Sequence, residues 1–263
     1  MNQLPVNPAL PELQQGAYRF LTRYNLINQR PIRFAAAGHL GPWLRLARWV
    51  LIAGLCFNAL AFGTMGFLTI LFAFSNPAVT SLMMHRGLDG TKVKPVLFIP
   101  LKNITAGTRN VFIELEDHDF YSHFGVSPGA IKEAMRINKL IGKTVVGGST
   151  ITQQLARNLF LTPKKTYIRK FYEAGAAVML ELILGKKRIM ELYLNYIEFG
   201  PGIFGLGQAA HYQYGATYRE LDFEQRVRLA VIITSPLRYN VRTFTDSRGM
   251  LARYYAIMGS PEE

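Results

Sequence analysis

Residues 147–158 read Gly147-Gly148-Ser149-Thr150-Ile151-Thr152-Gln153-Gln154-Leu155-Ala156-Arg157-Asn158. Two glycines deliver the chain to a hydroxyl-bearing cap, and the first helical turn then offers hydroxyls, amides and free backbone N–H groups. Such a turn suits phosphates or sugar hydroxyls at a helix N-terminus, and its plain alternative is an ordinary cap. Just upstream, Gly142-Lys143-Thr144 imitates the end of a nucleotide P-loop, but Ile137 stands where that loop needs its first glycine.

Outward from this stretch the same helical signals recur. Ser127-Pro128 reads as an N-cap with proline at the first helical position. From Ile131 to Lys143, Lys132, Arg136, Lys139 and Lys143 fall on one stripe, with Ile131, Ala134, Met135, Ile137 and Ile141 opposite. That is either a solvated face over a core or a surface for lipid headgroups and a lipid-phosphate substrate. Thr162-Pro163 predicts a helix running through Lys170 and Ala177 to about Leu184, with Gly185 as its stop. Lys186 to Ile197 predicts another, closed by Gly200-Pro201-Gly202, and Asp222 caps Phe223 to Ile233. Adjacent helices with little strand alternation predict a mainly α domain.

The chain has 263 residues, 30 Lys+Arg against 17 Asp+Glu, a formal charge of +13 and 49% apolar residues, which excludes wholesale disorder. Its single cysteine, Cys56, excludes an intramolecular disulfide framework and a cysteine-rich zinc module. Cys56 lies within Trp49 to Phe74, a stretch without a charge whose polar interruptions are Asn58, Thr64 and Thr69. As a helix it is about 39 Å long, enough to cross a hydrocarbon core, and it starts too far from the N-terminus for a cleavable signal. Before it, Arg19, Arg23, Arg30, Arg33, Arg45 and Arg48 face only Glu12; after it, Arg86, Lys92 and Lys94 face Asp89. The bias predicts a cytoplasmic N-terminus. The expected layout is a loosely ordered tail over 1–48, a transmembrane helix over 49–74, a connector over 75–100 with Pro77, Gly87, Gly90 and Pro95, and a folded domain over 101–263. A basic body outside the cytoplasmic membrane points to anionic lipid or anionic substrates and away from nucleic acid.

Three further clusters carry reactive side chains. Glu116-Asp117-His118-Asp119-Phe120-Tyr121-Ser122-His123-Phe124-Gly125 lacks the helical spacing of a zinc site, which leaves a carboxylate general base or a solvated acidic turn. Arg169-Lys170 stands one turn before Glu173, a spacing that also suits a surface ion pair. Arg188, Glu191 and Asn195 share one helical face ahead of Gly200.

In this order, behind one apolar span, the clusters closely resemble the glycosyltransferase domain of peptidoglycan polymerases, family 51, over about Pro100 to Tyr239. Glu116-Asp117, Phe120, His123 and Gly125 match that family's E-D-x-x-F-x-x-H-x-G motif. Gly147 to Asn158 matches G-G-S-T-I-T-Q-Q-L-x-K-N with Arg157 in place of lysine, and Arg169-Lys170 with Glu173 matches R-K-x-x-E. Arg188 to Asn195 with Gly200 matches the tyrosine-and-asparagine helix motif, whereas Thr234 to Asn240 follows the last motif loosely. With no Ser-x-x-Lys transpeptidase signature, the likeness is to the monofunctional transglycosylases.

The resemblance implies a lysozyme-like fold and the joining of lipid II units into β-1,4-linked glycan strands, with inversion and release of the polyprenyl diphosphate. It implies Glu116 as the base. Lys132, Arg157, Arg169 and Lys170 would be cations for the departing diphosphate, with Mg or Mn as a candidate helper, and Glu173 would orient the cations or hold the metal. Ser149, Thr150, Gln153, Gln154, Asn158 and Asn195 are its sugar or diphosphate contacts or their supports, Gln153 and Gln154 ahead of Asn195. The implied partners are lipid II, the growing glycan strand, membrane lipids, and transpeptidases or other wall-synthesis proteins. The implied location is the bacterial cytoplasmic (inner) membrane, single-pass, with the domain on the periplasmic side. The alternatives are a lysozyme-like muramidase, using Glu116 as an acid, and an inactive scaffold, which would be expected to have lost Glu116 or Glu173.

Overall fold

The computed structural model describes residues 41–143 and 146–259, with residues 15, 16 and 19. Most of the predicted 1–48 tail, and Thr144 of the P-loop-like stretch, lie outside the described residues. The chain divides into two compact units, 1–57 and 58–263. In the first, the chain is helical from Pro42 and its side chains are exposed almost throughout. This is the start of α1, Pro42–Phe74, a helix long and apolar enough to cross a membrane, entered seven residues before the uncharged stretch begins. Two of its three polar interruptions are satisfied within the helix. Thr64 and Thr69 donate to the carbonyls of Leu60 and Met65 at 2.9 and 2.7 Å, as a helix in lipid requires.

Among its described residues the second unit is mainly helical, with one small hairpin. After α1 come α2 (Ser81–Leu88), α3 (Ala106–Glu116), α4 (Pro128–Ile141), α5 (Ile151–Phe160) and α6 (Tyr167–Tyr196). Then follow β1 (Glu198–Gly200) and β2 (Ile203–Phe204), an antiparallel pair, α7 (Leu206–Tyr214), α8 (Phe223–Ile232) and α9 (Arg248–Met258). The core centres on α5 packed along α6, and Phe112 of α3 meets Tyr193 and Phe199 edge to face, with centroids at 6.3 and 6.2 Å. The first half of α6 packs on the second half of α1. Phe62 lies against Phe171 and Tyr172 at 6.0 and 5.4 Å, Tyr172 donates to Asn58 at 2.9 Å, and Gly175 lacks the Cβ that would strike the Phe62 ring.

The segment leading out of α1 is pinned to the domain by side chains of α6. Arg188 donates to the carbonyls of Phe72 and Ser75, Glu191 accepts from the Leu101 N–H at 2.8 Å, and Asn195 bonds both backbone groups of Ile99. Arg86 of α2 forks onto buried Glu198 with two 2.8 Å bonds. A stretch that reads as a connector therefore contains a helix, α2, and is fastened at several depths.

Local signals fared unevenly. Ser127 and Asp222 cap α4 and α8 as read, and Gly185, at φ 69° and ψ 164°, breaks α6 where a stop was expected. Thr162-Pro163 does not open α6; Thr166 does, accepting from the Arg169 N–H at 3.1 Å. The α4 stripe is also altered. Gly142 ends the helix in the left-handed region, leaving Lys143 beyond it, and Arg136 is paired with Glu133 at 2.7 Å. Of the apolar residues opposite, only Ala134 is buried, while Met135 and Ile141 stand exposed.

Candidate active site

Glu116 is the last residue of α3, at the negative end of the helix dipole, where an anion adds nothing to helix stability. Two donors hold it from elsewhere: Gln154 Nε2 reaches Oε2 at 2.8 Å, and Arg253 Nη2 reaches Oε1. The next residue has another task. Asp117 accepts from His123 Nε2 at 2.9 Å and from the Ile151 N–H at 2.9 Å, tying the loop to the positive end of α5. Phe120 is fully buried beneath the Lys186 ammonium, 4.5 Å from the ring centre. Gly125, at φ 81°, passes so close to α6 that a Cβ would lie 2.9 Å from the Ala177 carbonyl. Within the acidic cluster, the Glu116 carboxylate is held by two side-chain donors from other helices and lines two hollows.

At the start of α5, Thr150 and Gln153 form a reciprocal capping box, and Thr150 Oγ1 also donates to the Gly125 carbonyl at 2.6 Å. Both are almost fully buried, so Gln153 supports the site and is not placed to touch a ligand. Asn158, buried on the same helix, reaches the Tyr196 carbonyl at 3.4 Å, and Asn195 is occupied by Ile99. Gln154 is the polar side chain of this turn that meets Glu116, and it accepts in turn from the Tyr193 hydroxyl at 3.2 Å. Burial holds the Tyr193 phenol well above its usual range, with the Glu116 charge acting in the same direction.

Glu173 is fully buried on α6 and shared by Arg169 and Lys170, so it is no surface pair. Arg169 also donates to the Lys164 carbonyl at 2.8 Å, and Lys170 to Ser149 Oγ at 2.6 Å. Two adjoining hollows connect these groups to Glu116. A larger one of about 700 Å³ is lined by Glu116, Ser149, Gln154, Arg157, Arg238 and Arg253. Its neighbour adds Arg86, Lys165 and Arg169, and the two share Gln154, Arg157 and residues 233–235. A third hollow meets the other side of Glu116 along Gly129, Glu133 and 147–150. Lys132 lines none of the three and stays exposed on α4.

Sequence reasoning missed Arg253, Arg238 and Lys165. Arg238 lies in the loosely matched last motif, whereas nothing local marks Arg253, which is 137 residues from the carboxylate it holds. A resident divalent ion does not fit the donors. Among the described residues no three of His, Cys, Asp and Glu converge, and both Glu173 oxygens are engaged by cations.

A carboxylate between two hollows, one of them lined by arginines, in a mainly α domain that follows an apolar helix, is the arrangement of an enzyme site. The transglycosylase family model matches residues 86–259, and the chain belongs to that family, whose domain is lysozyme-like. A biosynthetic peptidoglycan transglycosylase of Dechloromonas aromatica (strain RCB) is 39% identical over 206 residues, 76% of this chain and 88% of the relative. One of the same description from Caulobacter vibrioides is 41% identical over 172 residues, 65% of this chain and 74% of the relative. A third, from Burkholderia vietnamiensis, is 39% identical over 212 residues, 78% and 84%.

Proposed function

We propose that this protein is a peptidoglycan glycosyltransferase that polymerises lipid II into β-1,4-linked strands, with Glu116 as general base. The observation that carries the reading is the Glu116 carboxylate standing between two hollows, one of which is lined by Arg157 and adjoins the hollow that holds Arg169. An acceptor sugar in the Gly129–Thr150 hollow brings its 4-hydroxyl to Glu116, which takes the proton as the oxygen attacks the donor's anomeric carbon with inversion. The departing diphosphate lies among the cations of the opposite hollow, which offset its charge without reorganising. Arg157, Lys165 and Arg238 make no ion pair among the described residues and are cations free to meet it, with Arg169 and Lys170 fixed in place by Glu173.

The muramidase alternative needs Glu116 to deliver a proton. Its two oxygens instead face the donors of Gln154 and Arg253, an arrangement suited to accepting one. The apolar helix α1 supports a membrane anchor, and the substrate's lipid tail supports a domain held at that surface. Exposed Tyr167, Ile168 and Phe171 beside the second half of α1, and exposed Met135, Leu140 and Ile141 on basic α4, support seating into the outer face of the cytoplasmic membrane. The test is labelled lipid II with the purified protein and Glu116→Gln, resolved on a gel. A ladder of strands lost in the variant is expected. Equal ladders from both would remove the base assignment, and cleavage of preformed glycan would turn the reading to a muramidase.

A further inference from the structure

The C-terminal helix α9 is the element that the sequence motifs leave without a role, and it carries the side chain that touches the proposed base most directly. Its position does not depend on that contact. Ser247 caps it, Met250 sits in the core, and Tyr254 donates to Glu224 at 2.7 Å while its ring meets Phe244 at 5.3 Å. Arg253 is therefore presented to Glu116 by a helix anchored on both sides of it. The Arg253 and Glu116 side chains are 28% and 12% exposed, so the pair faces the cleft yet is sheltered from bulk water.

We infer that Arg253 is a positioning residue for Glu116: together with Gln154 it grips the two carboxylate oxygens and fixes the direction in which their remaining lone pairs face the cleft. The inference rests on reading Glu116 as the base. A carboxylate has about four acceptor sites, and two donors fixed on different helices leave the others aimed one way. Gln154 alone leaves the group free to turn about its Oε2 contact. A guanidinium suits the task because it is planar, does not lose its proton and cannot compete as a base. The other charged groups nearby do not substitute. Asp117 is engaged by His123 and Ile151, and neither Arg157 nor Arg238 makes an ion pair to Glu116 among the described residues.

The experiment compares the full-length protein with Arg253→Ala and Arg253→Lys in detergent, using lipid II turnover. Misaiming a reacting group by about an ångström costs on the order of 10²-fold. Arg253→Ala should lose about that much in kcat with KM within about twofold, and Arg253→Lys, a charge without the fork, should recover part of it. A KM raised tenfold at unchanged kcat would make Arg253 a substrate-binding group and overturn the inference. So would equal losses in both variants matched by equal losses of thermal stability. A second readout needs no substrate. In protein labelled at the glutamate carboxyl carbon, the NMR resonance absent from Glu116→Gln should shift in Arg253→Ala, and an unmoved resonance refutes the grip. If that resonance shifts while the wild type makes no polymer, the grip stands and the polymerase reading is what fails.

Discussion

Glu173→Gln removes a charge that two cations share. The carboxylate is fully buried, the Arg169 side chain is 13% exposed and that of Lys170 is 41% exposed. Deleting one partner of a buried ion pair costs about 3–5 kcal/mol, because the other is left uncompensated. Here Lys170 can rehydrate and Arg169 keeps its Lys164 carbonyl, which lowers the expected loss to about 2–3 kcal/mol. At about 2–4 °C per kcal/mol for a domain of this size, the variant should melt about 4–12 °C below the wild type. Without the shared anion the two cations repel and turn apart, so KM for lipid II should rise several-fold. Circular-dichroism melts in detergent and initial rates against lipid II concentration check both. A Tm within about 1 °C of wild type would refute the buried-pair argument. A lowered KM would show that Glu173 restrains the cations from the substrate instead of aiming them.

Two substitutions away from the reacting groups test the frame. Gly125→Ala should cost about 3 kcal/mol in equilibrium unfolding, from the left-handed backbone plus a Cβ driven against the Ala177 carbonyl, whereas Gly90→Ala, at φ 82° with open space around it, should cost only about 1 kcal/mol. Equal losses would dismiss the close approach. Tyr193→Phe bears on alkaline stability. A phenol raised in the folded state contributes stability that is complete below its unfolded value near 10 and fades as pH rises through its folded value, so the wild type should lose about 1 kcal/mol more than the variant between pH 10 and 11. Parallel pH dependence in denaturant titrations would show that Tyr193 ionises no later than in the unfolded chain.

Much of the fold was legible because helices announce themselves locally. The Ser127 and Asp222 caps and the Gly185 break depend on a few neighbouring residues and were read where they occur. Thr162-Pro163 misled because two cap-like threonines lie four residues apart, and only packing chooses between them. The residues 75–100 read as a connector because their order comes from distant partners on α6 and β1, not from periodicity. Within the motifs, residue type did not separate contact from support: Gln153 and Gln154 are adjacent and chemically identical, yet one closes a capping box and the other meets Glu116. Lys132 has the charge expected of a diphosphate contact, yet it is exposed on α4 and lines none of the three hollows.

The sequence by itself determined the anchor-like helix, the mainly α body and the family likeness, and it pointed to the two acids of the candidate site. Those properties are written in composition, spacing and short-range capping, which act over a few residues. Tertiary structure alone decided which charges are paired and which are free. It gave Glu116 to Gln154 and Arg253, gave Asp117 to His123 and α5, buried Glu173 between two cations, and left Arg157 and Arg238 open to the cleft. Electrostatic pairing acts through space over a few ångströms, and the chain brings Arg253 to Glu116 from 137 residues away.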